Sequence, residues 1–313
     1  MKQLLKMASG FLLSHETLSW PPLKIWVEIT SVCNRECNEC LNRLIHRENL
    51  HFMTKEEFSF ILKKIPKATR EVNLFHRGEP LLHKDIVWFI DLVKKEGKFV
   101  RLYTNGALDL GVEKILSLLR SSPDLIAFSL SHPLKEDFSS EKKAFEKAVK
   151  NVSLFLELRK REHLKKPYIK LEILSLGKEP DMKARKYLRE NYDISSINKI
   201  SFRKPHNWGG NLPLSIKKNT KIPNQCTFPW YALVILSDGT VTPCPQDFFG
   251  RLALGNIYQN DFEKIWNGEA MLDLRKRHAK RNLEGHACFH CDRIWRKTFL
   301  KVPLEHVRIF WER

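Results

Sequence analysis

The residues whose types and spacing could do chemistry are the seven cysteines, and they fall into two groups. Cys33, Cys37 and Cys40 place three thiols within eight residues near the start of the chain. Cys226, Cys244, Cys288 and Cys291 lie in its last third. Three thiolates suit a [4Fe–4S] cluster whose fourth iron is left open for a ligand. A structural zinc ion normally takes four closed ligands and would need a distant residue such as His46 to complete it. The second group closes a shell of four, which serves an iron–sulfur cluster and a zinc ribbon equally well. An odd cysteine count in a cytosolic-looking chain argues against a disulfide framework and for metal ligation. Three plus four leaves none spare.

Positioning these groups requires a scaffold, and the hydrophobic pattern supplies one. Runs rich in β-branched and aromatic residues at 23–29, 71–75, 99–103, 125–130, 168–176 and 197–203 read as strands. Helical periodicity fills the gaps, for example Phe58, Ile61, Leu62 and Ile65 behind the N-cap Thr54 and its partner Glu57. Strand and helix alternating across six strands predicts a parallel α/β sheet with right-handed crossovers, flat or part-barrel, with its site at the carboxyl ends of the strands. Polar and glycine-containing stretches fall there, at 31–40, 76–80, 104–106, 129–132 and 206–210. Beyond Gly210 the alternation stops. A β-hairpin with an Asp238-Gly239 turn is expected, followed by helices near 262–266 and 270–278. The expected organisation is an N-terminal extension (1–21), a core domain (22–210), a linker (211–224), a second cysteine-bearing domain (225–295) and a tail (296–313).

The order of motifs resembles the radical SAM superfamily. The residues that carry the resemblance are Glu28-Ile29-Thr30-Ser31, then Cys33, Cys37 and Cys40, Gly78-Glu79-Pro80 like the family's GGEP motif, Thr104-Asn105-Gly106, and Ser129-Leu130-Ser131. The resemblance implies a partial (β/α)6 TIM-like barrel. It also implies a [4Fe–4S] cluster on the three cysteines, with S-adenosylmethionine (SAM) chelating the open iron. Gly78 and Glu79 match the positions that hold the methionine amine. Ser129 and Ser131 lie where the family contacts ribose or carboxylate, with Asn105 near the same ligand. Arg203, ending the sixth strand, is placed to pair with the SAM carboxylate bidentately. Two positions depart from the pattern: Glu39 stands before the third cysteine, usually an aromatic, and Arg77 replaces the first glycine of GGEP. The segment containing Cys226, Pro229-Trp230, Asp238-Gly239, Cys244, Gly255-Asn256, Trp266-Asn267, Cys288 and Cys291 resembles the twitch form of SPASM domains. That implies a small α+β domain with one auxiliary [4Fe–4S] cluster.

With no cysteine spare, a thiol-dependent epimerase is disfavoured. The expectation is reductive cleavage of SAM to a 5′-deoxyadenosyl radical, hydrogen abstraction, and two-electron oxidation of a small polar molecule such as a sugar or aminocyclitol, with the auxiliary cluster accepting the second electron. His206 or Arg203 is the expected catalytic residue beside the departing proton. His132 and Trp208 occupy similar strand-end loops. The alternatives are a peptide- or protein-modifying maturase and, from another class, a non-catalytic iron–sulfur carrier or nucleic-acid-binding protein. The net charge of +18 reads as a lysine-rich solvated surface or as attraction to an acidic low-potential donor such as flavodoxin or ferredoxin. The basic residues form no single block, which speaks against nucleic acid. No apolar run is long enough to span a membrane, and the N-terminus lacks signal-peptide character. A soluble, cytoplasmic protein is therefore expected.

Overall fold

A computed structural model describes residues 2–136, 138–213, 220–299 and 302–303. Parts of the expected linker (214–219) and tail (300–301 and 304–313) lie outside the described residues. The elements in chain order are α1 (Lys2–Leu12), β1 (Lys24–Val27), α2 (Lys55–Lys64), β2 (Glu71–Asn73), α3 (Ile86–Lys95), β3 (Phe99–Thr104), α4 (Gly111–Arg120), β4 (Leu125–Leu130), α5 (Phe138–Arg161), β5 (Tyr168–Leu174), α6 (Lys178–Asn191), β6 (Lys199–Arg203), β7 (Ala232–Ile235), β8 (Thr240–Thr242), β9 (Gly255–Asn256), α7 (Phe262–Trp266) and α8 (Glu269–Lys280). A short pair, β10 (Thr298–Phe299) and β11 (Val302–Pro303), follows. The chain divides into two compact units, one of residues 29–35 and 71–205, the other of 1–28, 36–70 and 206–313.

The first unit holds an open parallel sheet in the order β6-β5-β4-β3-β2. Alternation along each strand sends side chains to opposite faces. One face is apolar and meets the helices: Val100, Leu102, Ile126, Phe128, Ile169, Leu171 and Ile173 are fully buried, and Phe128 meets Phe155 of α5 edge-on. The opposite face carries Tyr103, Ala127, Ser129, Lys170, Glu172, Ser201 and Arg203, in register across four strands. An apolar strand buried on both sides would not alternate in this way. The sheet does not close, which agrees with a part-barrel.

In the second unit β1 pairs parallel with β7, and β7, β8 and β9 run antiparallel. The β7–β8 hairpin turns at Asp238-Gly239, where Gly239 has φ +84° and Leu236 N donates to Thr240 O. That backbone favours glycine. α2 opens with the expected capping box: Thr54 Oγ1 accepts from Glu57 N (3.1 Å), and Glu57 Oε2 accepts from Thr54 N (2.6 Å). The N-terminal segment is tied into this unit by hydrogen bonds. Its backbone carbonyls at Phe11, His15, Glu16, Leu18 and Trp20 accept from Gln225, Trp230, Arg275, Asn267 and Trp266 respectively, all from the cysteine-bearing part of the same unit. Arg275 is fully buried, lies 4.4 Å over the Trp266 ring, and is pushed down to about 9 by burial. Carbonyl acceptors and a ring face, instead of a carboxylate, offset part of its desolvation cost. No helix among the described residues is long and apolar enough to cross a membrane.

Candidate active site and cluster cavity

Gly78, just past β2, sits where a side chain has no room. A Cβ there would lie 2.4 Å from Thr30 O and 2.6 Å from Val32 O, and Glu79 N donates to Val32 O at 2.8 Å. The glycine therefore sets the course of the backbone leading into Cys33. Glu79 is buried, and its carboxylate accepts from Thr104 Oγ1 (2.7 Å), Asn105 N (2.7 Å) and Leu81 N (3.0 Å). Burial outweighs these donors and raises its carboxyl to about 7. Glu79 thus ties the end of β2 to the end of β3.

Asn105 is fixed at both ends of its amide. Its Oδ1 accepts from Ala107 N (2.8 Å), which turns Nδ2 toward Asn34 Oδ1 (2.9 Å) and Cys33 Sγ (3.9 Å). Asn34 Nδ2 in turn reaches Ala107 O at 3.0 Å. Ser131 Oγ bonds Glu141, whose carboxylate also takes Arg35 (3.0 Å) and Lys135 (3.2 Å). Arg35 lies between the first two motif cysteines, so Glu141 anchors that loop. Ser129 stands half-buried beside Glu172 in the register. His132 is fully buried, with Nδ1 accepting from Leu134 N (3.1 Å) and Nε2 3.4 Å from Asp181. Burial holds its basicity down. Arg203 Nε meets Glu172 Oε1 at 3.0 Å. Glu141, Lys170 and Glu172 escaped the sequence reading. The signal available for the last two was a pair of charges two apart within the apolar run Tyr168–Leu174.

The second unit holds Cys37 and Cys40, joined by Cys40 N to Cys37 O (3.0 Å), with Asn42 N directed at Cys40 Sγ (3.4 Å). Burial raises the Cys40 thiol. Trp208 Nε1 donates to Glu39 O at 3.1 Å, steadying the backbone beside Cys40. His206 is buried between two guanidinium groups, Arg296 at 2.9 Å from Nδ1 and Arg293 at 3.2 Å from Nε2. Only an unprotonated ring nitrogen can accept from a guanidinium N–H. Asp292 pairs with Arg296 and offsets its charge.

Cys226, Cys244, Cys288 and Cys291 line one cavity, with Asp247, His278 and Arg293 on its wall. All are free thiols. Burial, then the neighbouring thiols, pushes Cys244 and Cys288 well up, and burial pushes Cys291 up to about 12. Cys244, Cys288 and Cys291 thus resist ionisation in the metal-free chain, and a cationic iron–sulfur core is the partner that would ionise them. Among the described residues no three His, Cys, Asp or Glu side chains gather closely enough to hold a single ion. Four thiols around a common cavity suit a multi-iron cluster. Two histidines brace this shell through its backbone: His278 Nδ1 accepts from Cys226 N (3.3 Å) and His286 Nδ1 from Cys288 N (3.2 Å).

Comparison with known proteins agrees with this geometry. The radical SAM superfamily model matches residues 27–190, and a SPASM model, an iron–sulfur cluster-binding domain, matches 226–292. The chain belongs to the radical SAM superfamily. It is accordingly an enzyme whose cofactors are a [4Fe–4S] cluster, SAM and an auxiliary iron–sulfur cluster. Among curated relatives, the S-adenosyl-L-methionine-dependent 2-deoxy-scyllo-inosamine dehydrogenase of Niallia circulans is 23% identical over 80% of this chain and 85% of its own length, which supports an oxidoreductase. A probable GTP 3',8-cyclase of Methanocaldococcus jannaschii is 33% identical, but over only 32% of this chain and 37% of its own length. Among solved structures, BtrN in complex with AdoMet and 2-DOIA superposes with a TM-score of 0.59 at 17% identity, covering 88% of this chain and 94% of BtrN. Streptococcus suis SuiB bound to precursor peptide SuiA gives 0.63 at 14% identity, covering 87% of this chain and 70% of SuiB.

Proposed function

We propose that this enzyme dehydrogenates a small polyhydroxylated molecule, a sugar alcohol or aminocyclitol, by two electrons. The observation that carries the reading is the similarity to the Niallia circulans dehydrogenase over four-fifths of the chain. A four-thiol cavity with no spare cysteine supports it. In this reading Cys33, Cys37 and Cys40 hold the SAM-binding cluster and Cys226, Cys244, Cys288 and Cys291 hold the auxiliary one. When bound, these groups and SAM supply the 5′-deoxyadenosyl radical and an acceptor for the second electron.

The chain's own residues arrange that chemistry. Gly78 and Glu79 shape the loop that meets the methionine end of SAM. Ser129 offers its hydroxyl and Arg203 its guanidinium at the strand ends. A guanidinium is a poor base, so Arg203 binds and orients and does not accept a proton. Ligation by all four thiolates would leave no iron open to substrate at the auxiliary site, which suits an electron acceptor. The domain division at 22–210 and 225–295 belongs to the same reading, as does an acidic flavodoxin- or ferredoxin-like electron donor.

The second reading, a peptide-modifying enzyme, has a specific observation in its favour: the superposition on SuiB at a TM-score of 0.63. Anaerobic incubation of the reconstituted enzyme with SAM, reductant and a panel of cyclitols, alditols and short peptides separates the two. The dehydrogenase reading expects a polyol product two hydrogens lighter, with deuterium moving from the substrate carbon into 5′-deoxyadenosine. Modification of peptides alone would overturn it.

A further inference from the structure

On the face of the parallel sheet turned away from its helices, Tyr103, Ala127 and Lys170 stand side by side in the register of β3, β4 and β5. Ala127 presents only a methyl group, so the two long side chains meet across it, Tyr103 Oη to Lys170 Nζ at 3.3 Å. One row further, Glu172 sits between Ser129 and Ser201. Its carboxylate accepts from Tyr103 Oη (3.2 Å) and from Lys170 Nζ (2.5 Å), and its Oε1 forms an ion pair with Arg203, 3.0 Å from Nε. Lys170 and Glu172 are both buried, and Arg203 remains 36% exposed. Burial alone would lower Lys170, but Tyr103 and Glu172 outweigh it and raise it, while burial keeps Tyr103 a neutral phenol. The group is thus two cations around one carboxylate.

We propose that Glu172, braced by Tyr103 and Lys170, is a positioning residue that aims Arg203 at the carboxylate of a bound ligand. An ion pair at Nε restrains the guanidinium, and its two Nη groups form the fork that matches a carboxylate. Among the described residues neither Nη group has a partner, nor does the Ser129 hydroxyl one row away. The excess positive charge of the group favours an anion. Two sources supply that chemistry, the carboxylate of SAM and a carboxylate on the substrate. The inference rests on the reading of Arg203 as a ligand-binding residue, and not on the identity of the substrate.

The test is a double-mutant cycle on the cluster-loaded enzyme, with SAM binding read by equilibrium dialysis and no turnover required. Glu172→Gln keeps the size and removes the charge. Tyr103→Phe removes one hydroxyl and guards against a misfolded first variant. Glu172→Gln is expected to weaken SAM binding about tenfold, and Tyr103→Phe by less. In an Arg203→Ala background, where Arg203 no longer binds, Glu172→Gln should have no further effect. If SAM affinity is unmoved but the KM of an oxidised substrate rises with the same non-additivity, the carboxylate is the substrate's, and the positioning role stands. Effects of Glu172→Gln and Arg203→Ala that simply add, or affinities and KM unchanged within twofold in both variants, would overturn it. An Arg203→Ala variant that binds both ligands normally would instead refute the underlying reading of Arg203.

Discussion

Asn105 carries the sharpest prediction at the scale of single residues. Its amide cannot turn over without losing Ala107 N, so an N–H is held toward Cys33 Sγ. Hydrogen bonds to cluster sulfurs favour the reduced state and raise the potential. Asn105→Ala should therefore lower the midpoint potential of the SAM-binding cluster, on the order of tens of mV for one weak hydrogen bond, as followed by EPR-monitored titration. An unchanged potential would assign Asn105 to loop geometry only. Glu79 gives a pH prediction. Its folded value of about 7 exceeds the ordinary 4.5, so the fold binds this proton more tightly than the unfolded chain. The contribution is fully present below the ordinary value and is lost as pH rises through about 7, at most about 3 kcal/mol. The Tm of the metal-free protein should fall over that window, and Glu79→Gln should flatten the fall. Both residues stand in motifs that the sequence displays, in the loops that follow β2 and β3. Glu172 and Lys170 were not legible there, because their partners Tyr103 and Arg203 come from strands β3 and β6, joined to β5 only by long-range pairing.

Among the elements, the turn after β2 is the least tolerant. Gly78→Ala would push a Cβ against the carbonyls of Thr30 and Val32. Backbone must move to admit it, at a cost of about 1–3 kcal/mol, and the part that moves leads directly into Cys33. The expected result is lower iron occupancy after reconstitution and loss of SAM binding, with the auxiliary cluster's absorption retained. Normal loading of both clusters would show the turn to be more compliant than the packing indicates. Strand and helix positions were readable from periodicity to within a few residues, as in β4 at Leu125–Leu130 and α7 at Phe262–Trp266. The N-terminal segment was not. Met7, Phe11, Leu18 and Trp20 are buried, but the groups that receive its carbonyls lie more than two hundred residues away, at Gln225, Trp230, Trp266, Asn267 and Arg275. No local pattern announces such pairings.

For the whole molecule, the net charge of +18 predicts a long-range attraction for acidic partners. Raising the salt from 0.1 M to 1 M shortens the screening length from ~10 Å to ~3 Å. Reduction by a flavodoxin or ferredoxin should then slow steeply, while reduction by dithionite should respond much less; equal responses would leave the charge as a solvated surface. The central claim, that substrate oxidation delivers its second electron to the cluster held by Cys226, Cys244, Cys288 and Cys291, is tested most directly by freeze-quenched EPR. The measurement is a single turnover of the reconstituted wild-type enzyme with SAM and a polyol that it oxidises. The account predicts that the signal of the reduced auxiliary cluster grows in step with 5′-deoxyadenosine and with product two hydrogens lighter. Formation of that product with the auxiliary cluster's signal unchanged throughout would contradict it.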